Sequence, residues 1–178
     1  MALKATIFKT TLQIADMDRH YYHDHHFTIA RHPSETDERM MVRLLAFALN
    51  ANEELTFTRG ISSEDEPDLW KKSLSDEIEL WIDLGQPDEK RIKKACARSS
   101  EVIIYCFSSR SAPIWWQQIN GKLKRFRNLS VIYLQADATR KLSDMVERQM
   151  QLQYSIQDSE VWVSNGNESL EIAVTEWM

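Results

Sequence analysis

The sequence predicts a mixed α/β (α+β) fold in one domain over residues 1–178. Three observations carry this: strand-like alternation near both ends of the chain, helix-spaced apolar residues between them, and a strand–helix–strand order around residues 78–107. With 178 residues, 43% of them hydrophobic, the chain is long enough to bury a core without disulfides or a structural metal. Two cysteines, Cys96 and Cys106, have no metal or redox spacing and are expected to be reduced and buried. A net charge of −5 argues against a wholly electrostatic nucleic-acid binder. The longest apolar stretches, such as Val102–Phe107, are strand-sized, and the N-terminus lacks the order of a signal peptide. These features predict a cytoplasmic protein with no membrane association.

Residues 5–30 read as two extended segments around Asp16–Asp18, a hairpin. After His32-Pro33, the run Ser34–Glu38 offers capping residues and first-turn acids. Met40, Met41, Leu44, Leu45 and Ala48 follow at helical spacing, so a buried helix is predicted from near Glu35. Leu55–Thr58 is a short strand, and Pro67 forces Glu66 into an extended or turn conformation. A second hairpin pairs 69–74 with 78–84. In its second strand Ile78, Leu80, Ile82 and Leu84 share one face, and Glu79, Trp81 and Asp83 the other. Gly85-Gln86-Pro87-Asp88 opens a helix to about Ser99, and Glu101–Phe107 is an apolar strand; this order makes a βαβ crossover, which gives a parallel pair in a sheet buried on both faces. A helix over 112–125, a strand over 129–134 and a helix over 138–149 come next. A three-strand meander with an Asn165-Gly166 turn ends the chain.

Four groups of residues have the chemistry of a site. All five histidines lie between His20 and His32; alternation puts His20, Asp24 and His26 on one face and His23 and His25 on the other, so the segment is either a solvated hairpin or a transition-metal site. Asp68 follows a proline at the start of one strand, and Asp83 lies near the end of its partner. The two carboxylates either serve the turn and strand end or converge to hold Mg²⁺, a hard ion that bridges to phosphate oxygens. Lys122, Lys124, Arg125 and Arg127 form a short basic run beside Trp115 and Trp116, either a solvated helix end or a nucleic-acid contact. Glu79 and Trp81 share the strand face of Asp83, where a partnered carboxylate and a packed ring are the simpler roles.

The strings His32-Pro33-Ser34-Glu35-Thr36, Arg43-Leu44-Leu45-Ala46-Phe47, Asp65-Glu66-Pro67-Asp68-Leu69-Trp70 and Leu80-Trp81-Ile82-Asp83-Leu84-Gly85-Gln86-Pro87 resemble the YaeQ family over essentially the whole chain. The element order also resembles the PD-(D/E)xK nuclease core. The resemblance implies a restriction-endonuclease-like core over about 34–135, its mixed sheet flanked by helices, with the N-terminal hairpin and C-terminal meander added. It implies that Asp68 matches the Pro-Asp acid, Asp83 the acid of the acid-x-Lys motif and Glu38 the helix carboxylate, all three as Mg²⁺ ligands. The lysine position is Gly85, which can neither place a water nor stabilise charge on phosphorus. Lys90, Arg91, Lys93 and Lys94 on the next helix are the alternatives. Lys94 is the candidate, although Ile92, Ala95 and Cys96 define a buried face nearly opposite it.

Two functions follow as expectations. One is metal-dependent hydrolysis of nucleic-acid phosphodiesters by Asp68, Asp83, Lys94 and Glu38. The other is a non-catalytic protein- or nucleic-acid-binding protein on the same scaffold.

Overall fold

A computed structural model describes residues 4–178, with Ser62 described by its backbone alone. In chain order the elements are β1 (Thr6–Asp16), β2 (Tyr21–Arg31), α1 (Asp37–Leu49), β3 (Leu55–Phe57), β4 (Leu69–Lys72), β5 (Ile78–Leu84), α2 (Glu89–Arg98) and β6 (Ser99–Phe107). They continue with α3 (Ser111–Leu123), β7 (Leu129–Leu134), α4 (Ala136–Ser143), β8 (Gln149–Gln157), β9 (Glu160–Ser164), β10 (Ser169–Ile172) and β11 (Val174–Glu176). The chain divides into two compact units. One runs to Ala51 and is completed by Asp137–Val174; the other is Asn52–Ala136 with Thr175–Met178.

In the first unit the sheet order is β10-β9-β8-β1-β2. The hairpin predicted from alternation is present, its antiparallel register running from Thr6–Arg31 to Asp16–Tyr21. Alternation did not show that β8 lies parallel to β1, bringing segments about 140 residues apart into one sheet. Phe8, Leu12 and Ile14 of β1 are buried, as are Leu152, Tyr154 and Ile156 of β8, so one face of the sheet carries the core and the other stays polar. Asp18, in the first hairpin turn, accepts the backbone N–H groups of Asp158 and Ser159 at 2.8 and 2.9 Å. Both donors have positive φ, and the carboxylate satisfies the N–H groups that this turn exposes.

Helix α1 begins two residues later than predicted. Thr36 is its N-cap, with Oγ1 accepting the N–H of Arg39 at 3.1 Å, and Asp37 and Glu38 occupy the first turn. Glu35 precedes the cap and is buried, accepting from Arg43 at 2.9 Å and Arg39 at 3.3 Å. Helix α4 ends at Ser143, short of the predicted 149, because the chain turns through Asp144–Val146 and enters β8.

The second unit carries the sheet β11-β7-β6-β5-β4-β3. The predicted crossover is observed: β5, β6 and β7 are parallel, with α2 and α3 as the connections. β3, β4 and β5 are antiparallel. A bulge opposite Lys71/Lys72 shifts the start of β5, so Ile78 packs in the same buried cluster as Trp81, not with the Leu80 face as strict alternation implied. That cluster includes Ile92 and Ala95 of α2, Val102 and Ile104 of β6, and Ile119 and Leu123 of α3. The last predicted meander strand breaks at Ala173. Its second piece, β11, joins β7; there the Trp177 N–H donates to Val131 O and the Val131 N–H donates to Met178 O, each at 2.8 Å.

Candidate functional site

Asp68 and Asp83 meet in the second unit. The Pro67-Asp68 step brings the chain into β4, and the Asp68 N–H donates to Ile82 O of β5 at 3.0 Å. Its carboxylate Oδ2 accepts the Leu84 N–H at 3.0 Å, which fixes Asp68 against the end of β5 where Asp83 sits. Both acids are buried, 4% and 3% exposed, a burial that demands partners for ionised groups. Gly60, with φ +54, lets the 3₁₀ turn of 60–62 come close to this point; a Cβ there would stand 3.2 Å from Asp68 Oδ1.

The cation that meets Asp83 is Arg91. Its Nε and NH2 donate to Asp83 Oδ2 and Oδ1 at 2.9 and 3.0 Å, a two-pronged pairing of planar guanidinium with carboxylate. NH2 also donates to Glu66 O at 3.0 Å, and NH1 to Glu64 O at 2.9 Å. One side chain therefore ties α2, β5 and the 64–66 loop together. Asp88 caps α2 and accepts the Arg91 N–H at 2.8 Å, which places the arginine in the first helical turn. Burial holds the Asp83 carboxyl above its usual range; Arg91 opposes that rise and the neighbouring Asp68 charge adds to it.

Lys94 is engaged elsewhere: its Nζ pairs with Asp65 Oδ1 at 2.7 Å on the exposed side of α2, and Arg98 donates to Asp65 O at 3.1 Å. The basic side of α2 thus holds the acidic loop. Lys94 itself, through its hydrogen bond and charge, keeps the Asp65 carboxyl below its usual range.

Gly85, at the lysine position, has φ +95 and donates its N–H to Tyr105 O at 2.8 Å. Lysine is disfavoured there by the backbone, not by crowding, since nothing lies within 4 Å of a built Cβ. Gly85→Lys is expected to cost about 1–2 kcal/mol, read as a lower denaturation midpoint, without producing cleavage.

Glu38 lies on α1 in the first unit, whereas Asp68, Asp83 and Lys94 belong to the second. Burial raises its carboxyl above the ordinary value and Arg140 opposes this. A raised folded pKa in an acid penalises the folded state once the group ionises, and the penalty vanishes where both states are protonated. Glu38→Gln should therefore raise the melting temperature at neutral pH and leave it unchanged below about pH 4.

The other predicted groups also have defined surroundings. Trp115 Nε1 donates to Pro87 O at 2.8 Å, while Trp116 stacks on Trp177 and Trp177 on Tyr133, with centroids 5.5 and 4.6 Å apart. These rings pack against the core and do not form an open stacking platform. Arg125 and Lys122 both approach Glu89, at 3.0 and 3.8 Å. Glu79 pairs with Lys71 at 3.0 Å. Cys106 is buried and Cys96 partly so; burial pushes their thiols up to about 12 and about 11, so neither is a reactive thiolate at neutral pH. Among the described residues no three His, Cys, Asp or Glu side chains are grouped to hold a metal ion, and no helix is long and apolar enough to cross a membrane. As arranged the acid pair does not offer both carboxylates to Mg²⁺, because Arg91 holds both oxygens of Asp83.

Of the helix cations read from the sequence, Arg91 and not Lys94 is the one that meets Asp83. A signal for Arg91 was present: it lies one turn before the buried Ala95 and three residues after the capping Asp88, on the flank of the buried stripe.

Fold and site together define a mixed α+β protein of two mixed sheets and four described helices, with a buried acid pair closed by an arginine. The chain belongs to the YaeQ family, whose model, described as YaeQ protein, matches residues 1–174. It is similar to YaeQ of Salmonella typhi, 51% identical over 177 residues, with 99% of this chain and 98% of the relative covered. YaeQ of Escherichia coli strain K12 is 50% identical over the same shares. The crystal structure of YaeQ from Xanthomonas axonopodis pv. citri matches with a TM-score of 0.95 and 46% identity over 98% of each chain. That of YaeQ from Pseudomonas syringae gives 0.93 and 34%, over 98% of this chain and 96% of the other.

Proposed function

We propose that this YaeQ-family protein is a non-catalytic binding protein on a variant of the PD-(D/E)xK, restriction-endonuclease-like scaffold, and that its partner is a protein. The supporting observation is the two-pronged hold of Arg91 on Asp83, with the same guanidinium also bonded to Glu64 and Glu66 carbonyls. A side chain with that many fixed bonds builds structure; the attack of water on phosphorus needs those carboxylate oxygens available. Support for the scaffold comes from the antiparallel β4–β5 pair carrying Asp68 and Asp83, followed by α2 and the parallel β6. A protein partner is favoured over nucleic acid because Arg91, Lys94 and Arg125 are already paired with Asp83, Asp65 and Glu89. Leu74, Ile114 and Ile61 of the same unit are exposed apolar side chains suited to a protein surface.

Mg²⁺-dependent phosphodiester hydrolysis is the second reading. One observation favours it: Asp68 and Asp83 are both buried and close enough that the Asp68 charge raises the Asp83 carboxyl. It requires Arg91 to release Asp83. Purified protein incubated with DNA and RNA in Mg²⁺ or Mn²⁺ tests both readings, with Asp68→Asn and Asp83→Asn as controls. The expected result is no cleavage and no retention of either nucleic acid at physiological salt. Cleavage abolished by both substitutions would replace the first reading with the second.

A further inference from the structure

The histidines of β2 belong to no part of the acid-pair site. His23 and His25 are alternate residues on one face of β2, opposite Ile14 and Leu12 of β1. His26 and Asp24 lie on the other face, opposite Thr11 and Gln13, and His26 Nδ1 is 3.0 Å from the Thr11 hydroxyl. His20 sits in the turn with φ 54 and belongs to neither row. Of the four histidines from 20 to 26, His23 and His25 therefore form the same-face imidazole pair.

The centroids of His23 and His25 are 6.3 Å apart, with ring planes at 51°. Two imidazoles bound to one tetrahedral ion, with metal–nitrogen bonds of about 2.0–2.1 Å, stand with centroids roughly 5 Å apart. His23 is exposed on the strand surface, where a side chain can change rotamer without moving the backbone. His25 is already positioned. Its ring lies at 8° to Phe27 with centroids 5.7 Å apart, and meets the edge of Phe47 at 4.9 Å. Its Nε2 is 2.6 Å from the Tyr21 hydroxyl. In the tautomer that donates Nε2–H to Tyr21, the Nδ1 atom carries the lone pair, and a hydrogen bond on the second nitrogen is the usual arrangement for a metal-bound histidine. Tyr21 stands 4.8 Å from His23, centroid to centroid, so it borders both rings.

We propose that His23 and His25 form a two-imidazole site for a late first-row transition-metal ion, with water completing the coordination. Imidazole nitrogens select ions such as Ni²⁺, Cu²⁺ and Zn²⁺ over the hard Mg²⁺. The site rests on β2 alone and is independent of the Asp68–Asp83 reading.

Calorimetric titration of the full-length protein with Ni²⁺, and separately with Zn²⁺, tests it. One ion should bind per chain. His23→Ala and His25→Phe should each weaken binding by at least roughly tenfold, while His26→Ala leaves it unchanged. The phenylalanine keeps the stacking on Phe27 and Phe47, and a far-ultraviolet circular dichroism spectrum identifies any variant that fails to fold. As a second readout in the unmutated protein, paramagnetic Ni²⁺ should broaden the amide signals of 21–27 before those of other residues. Absence of binding, binding indifferent to both substitutions, or broadening centred elsewhere would overturn the proposal.

Discussion

Arg91→Met should destabilise the protein by about 3 kcal/mol at neutral pH, since removing one partner of a buried ion pair leaves the other charge uncompensated. Here the charge left is Asp83, 3% exposed beside the buried Asp68, and the same substitution cuts the bonds to Glu64 and Glu66. The lower end of the usual range is taken because the Arg91 side chain itself is 29% exposed. Burial already holds the Asp83 carboxyl above its ordinary value, and Asp68 raises it further. Without Arg91, the main group opposing that rise is gone. An acid with a raised folded pKa is favourable to folding below its unfolded pKa, and that advantage is lost as pH rises through the folded pKa. The deficit of Arg91→Met should therefore be largest at neutral pH and shrink toward about pH 4, and adding Asp83→Asn should recover much of it at pH 7. Urea titrations at both pH values measure this. A deficit that is the same at both, or below about 1 kcal/mol, would show that the arginine is not the counter-charge of the pair.

Glu35→Ala should cost about 3–5 kcal/mol by the same logic in the first unit. Glu35 and Arg43 are each 6% exposed and 2.9 Å apart, and Arg39 adds a second bond at 3.3 Å. Arg43 also donates to Ala30 O at 3.0 Å, so the network links the end of β2 to the middle of α1. Removing the carboxylate leaves the Arg43 guanidinium buried without its carboxylate partner, and the guanidinium cannot shed its proton to escape. Arg43→Ala alone should be comparably damaging, whereas the double substitution should be less damaging than the sum of the two, the signature of a coupled pair. Strict additivity in that cycle would contradict the pairing.

Local physics made the elements legible. Period-two alternation gave the hairpins, Pro87 and Asp88 gave the start of α2, and the β5–α2–β6 order gave the parallel pairs. The identity of the acids was legible because Pro67 fixes an extended entry to β4 and the hairpin register sets Asp68 beside the end of β5. What was not legible depends on distant partners. The β1–β8 pairing joins segments about 140 residues apart, and no local pattern specifies which strands meet across such a span. The break at Ala173 depends on β7 offering an edge to β11, and the shifted Ile78 depends on a bulge that alternation cannot reveal. Arg91 and Lys94 differ by only about 60° around the helix. Lys94 lies opposite the buried stripe and meets exposed Asp65, while Arg91 flanks the stripe and reaches Asp83.

On the proposed reading, Arg91 and no metal ion is the counter-charge of Asp83 in the acid pair. Binding of Mn²⁺, which is paramagnetic and stands in for Mg²⁺ at oxygen sites, tests it most directly when free Mn²⁺ is measured by electron paramagnetic resonance across a titration of the unmutated protein, Asp68→Asn, Asp83→Asn and Arg91→Met. The expected result is that Asp68→Asn and Asp83→Asn leave Mn²⁺ uptake by the native arginine background unchanged, with new uptake only in Arg91→Met. Uptake by the unmutated protein that disappears in both asparagine variants would contradict the claim and return the acid pair to metal chemistry.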